Sequence, residues 1–160
     1  MRIASILATA SLAFVVTSVA ACSSSGNAGT SSPFDGTWSC AETDVLTYTT
    51  PPGSAAQTLT GKASLLVTEA TNGDITLTPT TDAGTTCALN STASGSTATL
   101  VANQTCKSGA LSFDYTQGTT TVSGSSLTSQ LSFTFTGSVS DDGGAVSVGG
   151  TGITSYTCTK

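Results

Sequence analysis

The side chains in this sequence best able to do chemistry are its five cysteines, and their surroundings divide them one against four. Cys22 directly follows an apolar run and two alanines, whereas Cys40, Cys87, Cys106 and Cys158 stand far apart along the chain. A cysteine in the first setting stands apart from the others, and as a thiolate it would be the most nucleophilic side chain in the sequence. The other four are an even set, which in an exported domain reads as two disulfides. Zinc would use the same sulfurs, but structural zinc sites are usually built on close Cys-x-x-Cys pairs, and these four have no such spacing. The expected pairing is Cys40 with Cys158 and Cys87 with Cys106, although four cysteines allow two other connectivities.

Other catalytic equipment is sparse. Histidine is absent and the one arginine is Arg2, so the commonest general base, imidazole ligand and oxyanion clamp are missing from the rest of the chain. A Ser or Thr nucleophile would need Lys62, Lys107 or Lys160, none of which sits in a Ser-x-x-Lys arrangement, and Lys160 reads as solvated. Glu42 and Asp44 alternate onto one face of the first strand and could pair or hold a cation. They read as the solvent face, since exposed strand charges are routine and a glycosidase would also need an aromatic cleft. Asp141-Asp142-Gly143-Gly144 departs from the calcium-loop spacing and reads as a turn. Asn90-Ser91-Thr92 and Asn103-Gln104-Thr105 match the glycosylation sequon by chance, and Thr47 to Thr49 and Thr76 to Thr78 could present hydroxyl arrays for adhesion or ice binding, although threonine is also the ordinary polar residue of an exposed strand face. The expectation is therefore a protein that is not an enzyme, with no catalytic residues, metal site or cofactor.

These groups must be carried by elements that composition constrains. The 160 residues suffice for one core beyond an export segment. Ser, Thr, Gly and Ala dominate and only 8% of residues are charged, which lacks the Glu, Lys and Pro signature of disorder. Beyond residue 21, three lysines face nine carboxylates, a formal charge of −6. Nucleic acid is disfavoured, since its phosphates need a stripe of Lys or Arg.

Met1 and Arg2 precede an apolar run from Ile3 to Val19, so residues 1–21 read as a signal peptide. A membrane span would want about 20 consecutive apolar residues, and this run turns wholly polar after Cys22. Val19-Ala20-Ala21-Cys22 resembles the lipobox of bacterial lipoproteins, a family that prefers Leu where Val19 stands. The resemblance implies acyl chains on Cys22, attachment to a membrane of the cell envelope and, with Ser23 in place of Asp, transfer to the outer membrane. Two or more chains give durable anchoring where one is marginal. Residues 22–33 would then be the acylated cysteine and a flexible Ser/Gly tether, with an r.m.s. reach of roughly 18 Å.

From 34 to 160 the apolar residues recur at period two in runs rich in Thr, Val and aromatics, which predicts a single all-β domain. Asn72-Gly73 and Asp141 to Gly144 mark tight reversals, and Ser94-Gly95-Ser96, Lys107-Ser108-Gly109, Gln117-Gly118 and Ser123-Gly124-Ser125 are weaker turn signals. Such short connections force antiparallel pairing, giving a meander of about eight to ten strands. To hide its edges the meander should close into an up-and-down barrel, with a two-sheet sandwich as the alternative. The interior is expected to be packed, with Trp38, Leu65, Leu77, Leu100, Phe113 and Phe133 pointing in, whereas a carrier would need an empty cavity of ligand size. An embedded outer-membrane barrel is set aside because strands such as Ile75 to Leu77 look short and aromatic girdles are missing.

Gly36-Thr37-Trp38 resembles the first-strand Gly-x-Trp of the calycins, the lipocalins, avidins and small barrel inhibitors. In that family the indole closes one end of the barrel, and lipocalins usually pack an arginine of the last strand on it, which this sequence lacks. The resemblance implies carriage of a small apolar ligand. Inhibition or adhesion through loops, with a protein partner, is the other binding role. The function expected is thus that of an envelope lipoprotein acting as a binding or structural module.

Overall fold

The computed structural model describes residues 32–70, 72–81, 87–141 and 144–160. The signal peptide, Cys22, most of the tether and the Asp142-Gly143 pair lie outside them. The described chain forms nine strands and no helix: β1 (Gly36–Thr50), β2 (Gln57–Glu69), β3 (Asp74–Thr81), β4 (Leu89–Ser94), β5 (Thr97–Leu100), β6 (Gln104–Ser108), β7 (Leu111–Ser123), β8 (Ser126–Asp141) and β9 (Gly144–Thr159). Period-two patterning produces them: one side of most strands buries Leu, Val, Ile or an aromatic, and the short β6 buries Cys106, while the other side mostly presents Thr and Ser to water.

All nine belong to one antiparallel sheet in the order β5-β4-β3-β2-β1-β9-β8-β7-β6, with a further pairing of β5 to β7. β1 and β9 pair along their length, from Ser39 opposite Thr159 to Thr50 opposite Gly149. β7 is shared: Thr119 to Thr121 pair with β5 and Leu111 to Tyr115 with β6. Cys40 lies directly opposite Cys158, Cα atoms 4.0 Å apart, and Cys87 lies 5.8 Å from Cys106, both pairs at disulfide distance.

The core sits at one end of the buried face. Trp38 and Phe34 are fully buried there with Leu65, Leu77 and Leu127, and the Trp38 indole donates to the Phe34 carbonyl at 2.8 Å. Leu100 and Phe133 are also buried, whereas Phe113 is only half-buried, against the edge of that cluster.

Several sequence expectations need correction. Gln117-Gly118 is no turn but lies inside β7, at a bulge between Tyr115 and Gln117. Gly118 is required because a Cβ there would strike the Leu131 side chain and the Gln130 carbonyl. Asn72-Gly73 belongs to a longer reversal than a two-residue hairpin, with β2 ending at Glu69 and Gly73 (φ +84°) donating to the Ala70 carbonyl. The weaker signals at Gly95, Gly109 and Gly124 mark two-residue reversals, each opened by a glycine at φ near +60°. Strands β1, β8 and β9 run to 15 or 16 residues, because polar Ser, Thr and Gly continue the ladder beyond the apolar runs. Shortness therefore does not argue against a membrane barrel. The exposed face is mostly Ser and Thr, with Val45, Leu59, Leu66, Val139 and Ile153 as its large apolar side chains.

Lys160 is not simply solvated. Its ammonium lies 4.2 Å from the Trp38 ring centroid and donates to the Asp35 carbonyl.

Candidate functional site

The largest departure from expectation concerns Glu42 and Asp44. They share strand parity with buried Trp38 and Cys40, so the pleat turns them onto the buried face, not toward solvent. Both are half-buried. Register then supplies their partners from β9. Tyr156 stands opposite Glu42 and Thr154 opposite Asp44, and both β9 residues are buried. The Tyr156 hydroxyl donates to Glu42 Oε1 at 2.9 Å, and the Thr154 hydroxyl donates to Asp44 Oδ1 at 2.5 Å. A hydroxyl proton aimed at each carboxylate offsets part of the cost of withdrawing charge from water.

Beyond the carboxylates an aromatic group lines the same face. Phe113 and Phe133 meet edge-on at 5.6 Å, Tyr115 lies 5.4 Å from Phe133, and Tyr48 meets Phe135 edge-on at 5.4 Å. Glycine makes room for these rings. Phe133 is opposite Gly152, where a Cβ would strike both the Phe133 ring and Leu46. Tyr48, Phe113 and Tyr115 remain half-exposed although they stand on the inner face. Water thus reaches this part of the buried face, while the part around Trp38 is fully covered.

Electrostatics follow from partial burial. Asp44 is held above the ordinary carboxylate range by burial, against the opposing pull of the Thr154 hydrogen bond. Tyr115 is pushed up to about 12, by burial first and then by the charges of Asp44 and Glu42. Tyr156 is raised much further, by burial and then by the charge and hydrogen bond of Glu42. Both phenols therefore remain hydrogen-bond donors across the physiological range. Two carboxylates, two neutral phenols, a buried hydroxyl and phenylalanine rings can bind a basic or polyhydroxylated organic group, or move a proton.

The expected core residues divide between the two parts. Trp38, Leu65 and Leu77 belong to the covered part, Phe113 and Phe133 to the aromatic wall, and Leu100 lies near the junction of β5 and β7. Sequence reasoning missed Tyr115, Thr154 and Tyr156 as site residues. The available signal was parity: a carboxylate two and four residues beyond a buried cysteine, on the same strand face, points inward. Among the described residues no group of three or more Cys, Asp or Glu could hold a metal ion.

Comparisons with protein families, with curated proteins and with solved structures find no match to this chain.

Proposed function

We propose that this chain is a lipid-anchored protein of the bacterial cell envelope whose β-domain is an up-and-down barrel binding a small ligand, non-enzymatically, at its open end. Support for the barrel comes from the strand pairings. β1 pairs with β9 and β5 with β7, so the antiparallel order returns to its start with β5 and β6 acting as one interrupted stave. Support for the calycin resemblance comes from Gly36-Thr37-Trp38 at the plugged end. There Lys160 takes a place comparable to that of the lipocalin arginine, a cation over the indole face.

The observation that carries the binding role is the inward pair Glu42 and Asp44, hydrogen-bonded to Tyr156 and Thr154 beside an aromatic wall. Carboxylates among rings select a ligand with a basic group on an apolar or aromatic body, which modifies the purely apolar cargo that the resemblance implies. β1 begins at the plugged end, so a tether from Cys22 would join the domain there and leave the open end facing away from the bilayer.

Native mass spectrometry of protein purified from its own envelope tests both parts. Diacylglyceryl mass on Cys22 and a bound amine-bearing ligand that is lost in Glu42→Gln and Asp44→Asn are the expected results. An unmodified Cys22 thiol overturns the anchor, and retention of the ligand in both variants overturns the site.

A second reading rests on Asp44. A carboxyl raised by burial, two residues from Glu42, is an arrangement used for acid and base roles. Turnover of any substrate that Asp44→Asn abolishes without loss of binding would favour it.

A further inference from the structure

A different feature lies in the wall, where β5 gives way to β6. β5 stops at Leu100, and β6 starts at Gln104. Between them the chain turns through Asn103 (φ +63°), whose N–H donates to the Tyr115 carbonyl. Neither the β5 register nor the β6 register includes Thr116, Gln117 or Gly118, so this stretch of β7 faces a break in the ladder. The break opens on the outer surface as a shallow, half-open hollow of about 440 Å³ bordered by Thr99, Leu100, Gln117, Gly118, Gln130 and Ser132. That volume falls within the roughly 300–1,000 Å³ of small-molecule sites. Its borders carry hydroxyl, amide and aliphatic groups and no ionisable side chain.

The molecule shows on the other side of the same break how such a gap is filled. There the Gln104 carboxamide inserts between backbone groups. Its oxygen accepts from the Asn90 N–H at 2.7 Å, and its nitrogen donates to the Asn90 carbonyl at 2.8 Å and the Val101 carbonyl at 2.5 Å. The Asn90 carbonyl also accepts from the Val101 N–H at 2.9 Å, so a neutral amide completes the pairing where the β5 backbone turns away. On the β7 side the gap spans three residues, too short for a strand to add by regular pairing but long enough for one amide.

We propose that this wall cavity is a binding site for a neutral ligand bearing an acetamido group, such as an N-acetylated sugar, separate from the acidic open end. The acetamide takes on the β7 side the part that the Gln104 carboxamide plays toward Asn90. Gln117, Gln130, Thr99 and Ser132 hold the ligand's hydroxyls.

The test is a titration of the isotope-labelled protein with N,N′-diacetylchitobiose and, separately, with cellobiose, which has the same linkage without acetamides, followed by amide NMR. Saturable shifts centred on 99–104 and 116–119 with the acetylated probe alone are expected, weakened tenfold or more in Gln130→Ala and in Gln117→Ala and unchanged in Glu42→Gln. Gln117 and Gln130 are exposed, so their truncation spares the core. A second block, Thr99→Trp, should abolish the shifts by filling the cavity. Absence of saturable shifts, equal shifts with cellobiose, or shifts centred on Glu42 and Asp44 would overturn the assignment.

Discussion

The Lys160 ammonium stands 4.2 Å from the centroid of the Trp38 ring, and a Cβ at Gly36 would lie 3.2 Å from its Cε. This places the residue just past β9 across the start of β1, so the clasp ties together the two ends of the described domain. Because Lys160 is exposed, water screens the contact, and it contributes about 0.5–1 kcal/mol. Lys160→Ala should lower the unfolding free energy from urea melts by that modest amount, with the midpoint falling accordingly, and alter emission from Trp38, the chain's one tryptophan, while Lys160→Arg restores both. Identical midpoints and spectra for Lys160→Ala and wild type would remove the clasp.

Gly152 governs the aromatic wall. Adding a branched side chain at this position drives against the Phe133 ring and Leu46, and overpacking of this kind costs about 1–3 kcal/mol. Gly152→Val should therefore lower the denaturant midpoint at unchanged m. A midpoint equal to wild type would mean that the ring yields freely.

Stability should respond to acid through Asp44. Its folded pKa lies above the unfolded value near 3.8, so the native state holds the proton more tightly. The contribution is present at low pH and is lost as pH rises from about 3.8 through the raised folded value. Asp44→Asn should remove this term, leaving a protein whose stability declines more steeply on acidification than wild type across that window. Thermal melts at closely spaced pH values decide it: parallel profiles for the two proteins would show that Asp44 titrates normally.

At alkaline pH the phenols act with the same sign. Tyr115, moved from 10 to about 12, and Tyr156, moved further, keep their protons in the fold after they would ionise in the unfolded chain. Stability is thus lost as pH climbs from 10 toward 12, and tyrosinate absorbance of the native protein should lag behind that of the denatured protein. Tyr115→Phe and Tyr156→Phe should each shrink the lag. Coincident titration curves for native and unfolded protein would contradict the burial of both groups.

The two cysteine pairs should differ in worth. On the chain-entropy account the 118-residue separation of Cys40 and Cys158 is worth about 5 kcal/mol and the 19-residue separation of Cys87 and Cys106 about 3 kcal/mol. Replacing the first pair by serine should lower the denaturation midpoint further than replacing the second. A reversed order, or four free thiols by alkylation and mass, would overturn the stapled arrangement.

Much of the architecture was readable along the chain because period two is a local signal. The alternation of Leu65 and Val67, or of Leu131, Phe133 and Phe135, marks strands, and glycines at 95, 109 and 124 mark their reversals. Strand lengths were underestimated because Ser, Thr and Gly carry no burial signal of their own, yet their backbones still join the ladder of β8 and β9. Gln117-Gly118 misled for a related reason. A glycine that opens a turn and a glycine that makes room for Leu131 look alike until the neighbouring strand is in place.

By itself the sequence determined the β class, the antiparallel order of neighbours and the even set of four cysteines, all consequences of residue types and spacings within a few positions. Only the tertiary structure decided that Glu42 and Asp44 point inward to Tyr156 and Thr154, more than a hundred residues away, and that Lys160 covers Trp38. The physical reason is that parity places a side chain on one of two faces, whereas which face is buried, and against what, depends on strand pairings between distant parts of the chain.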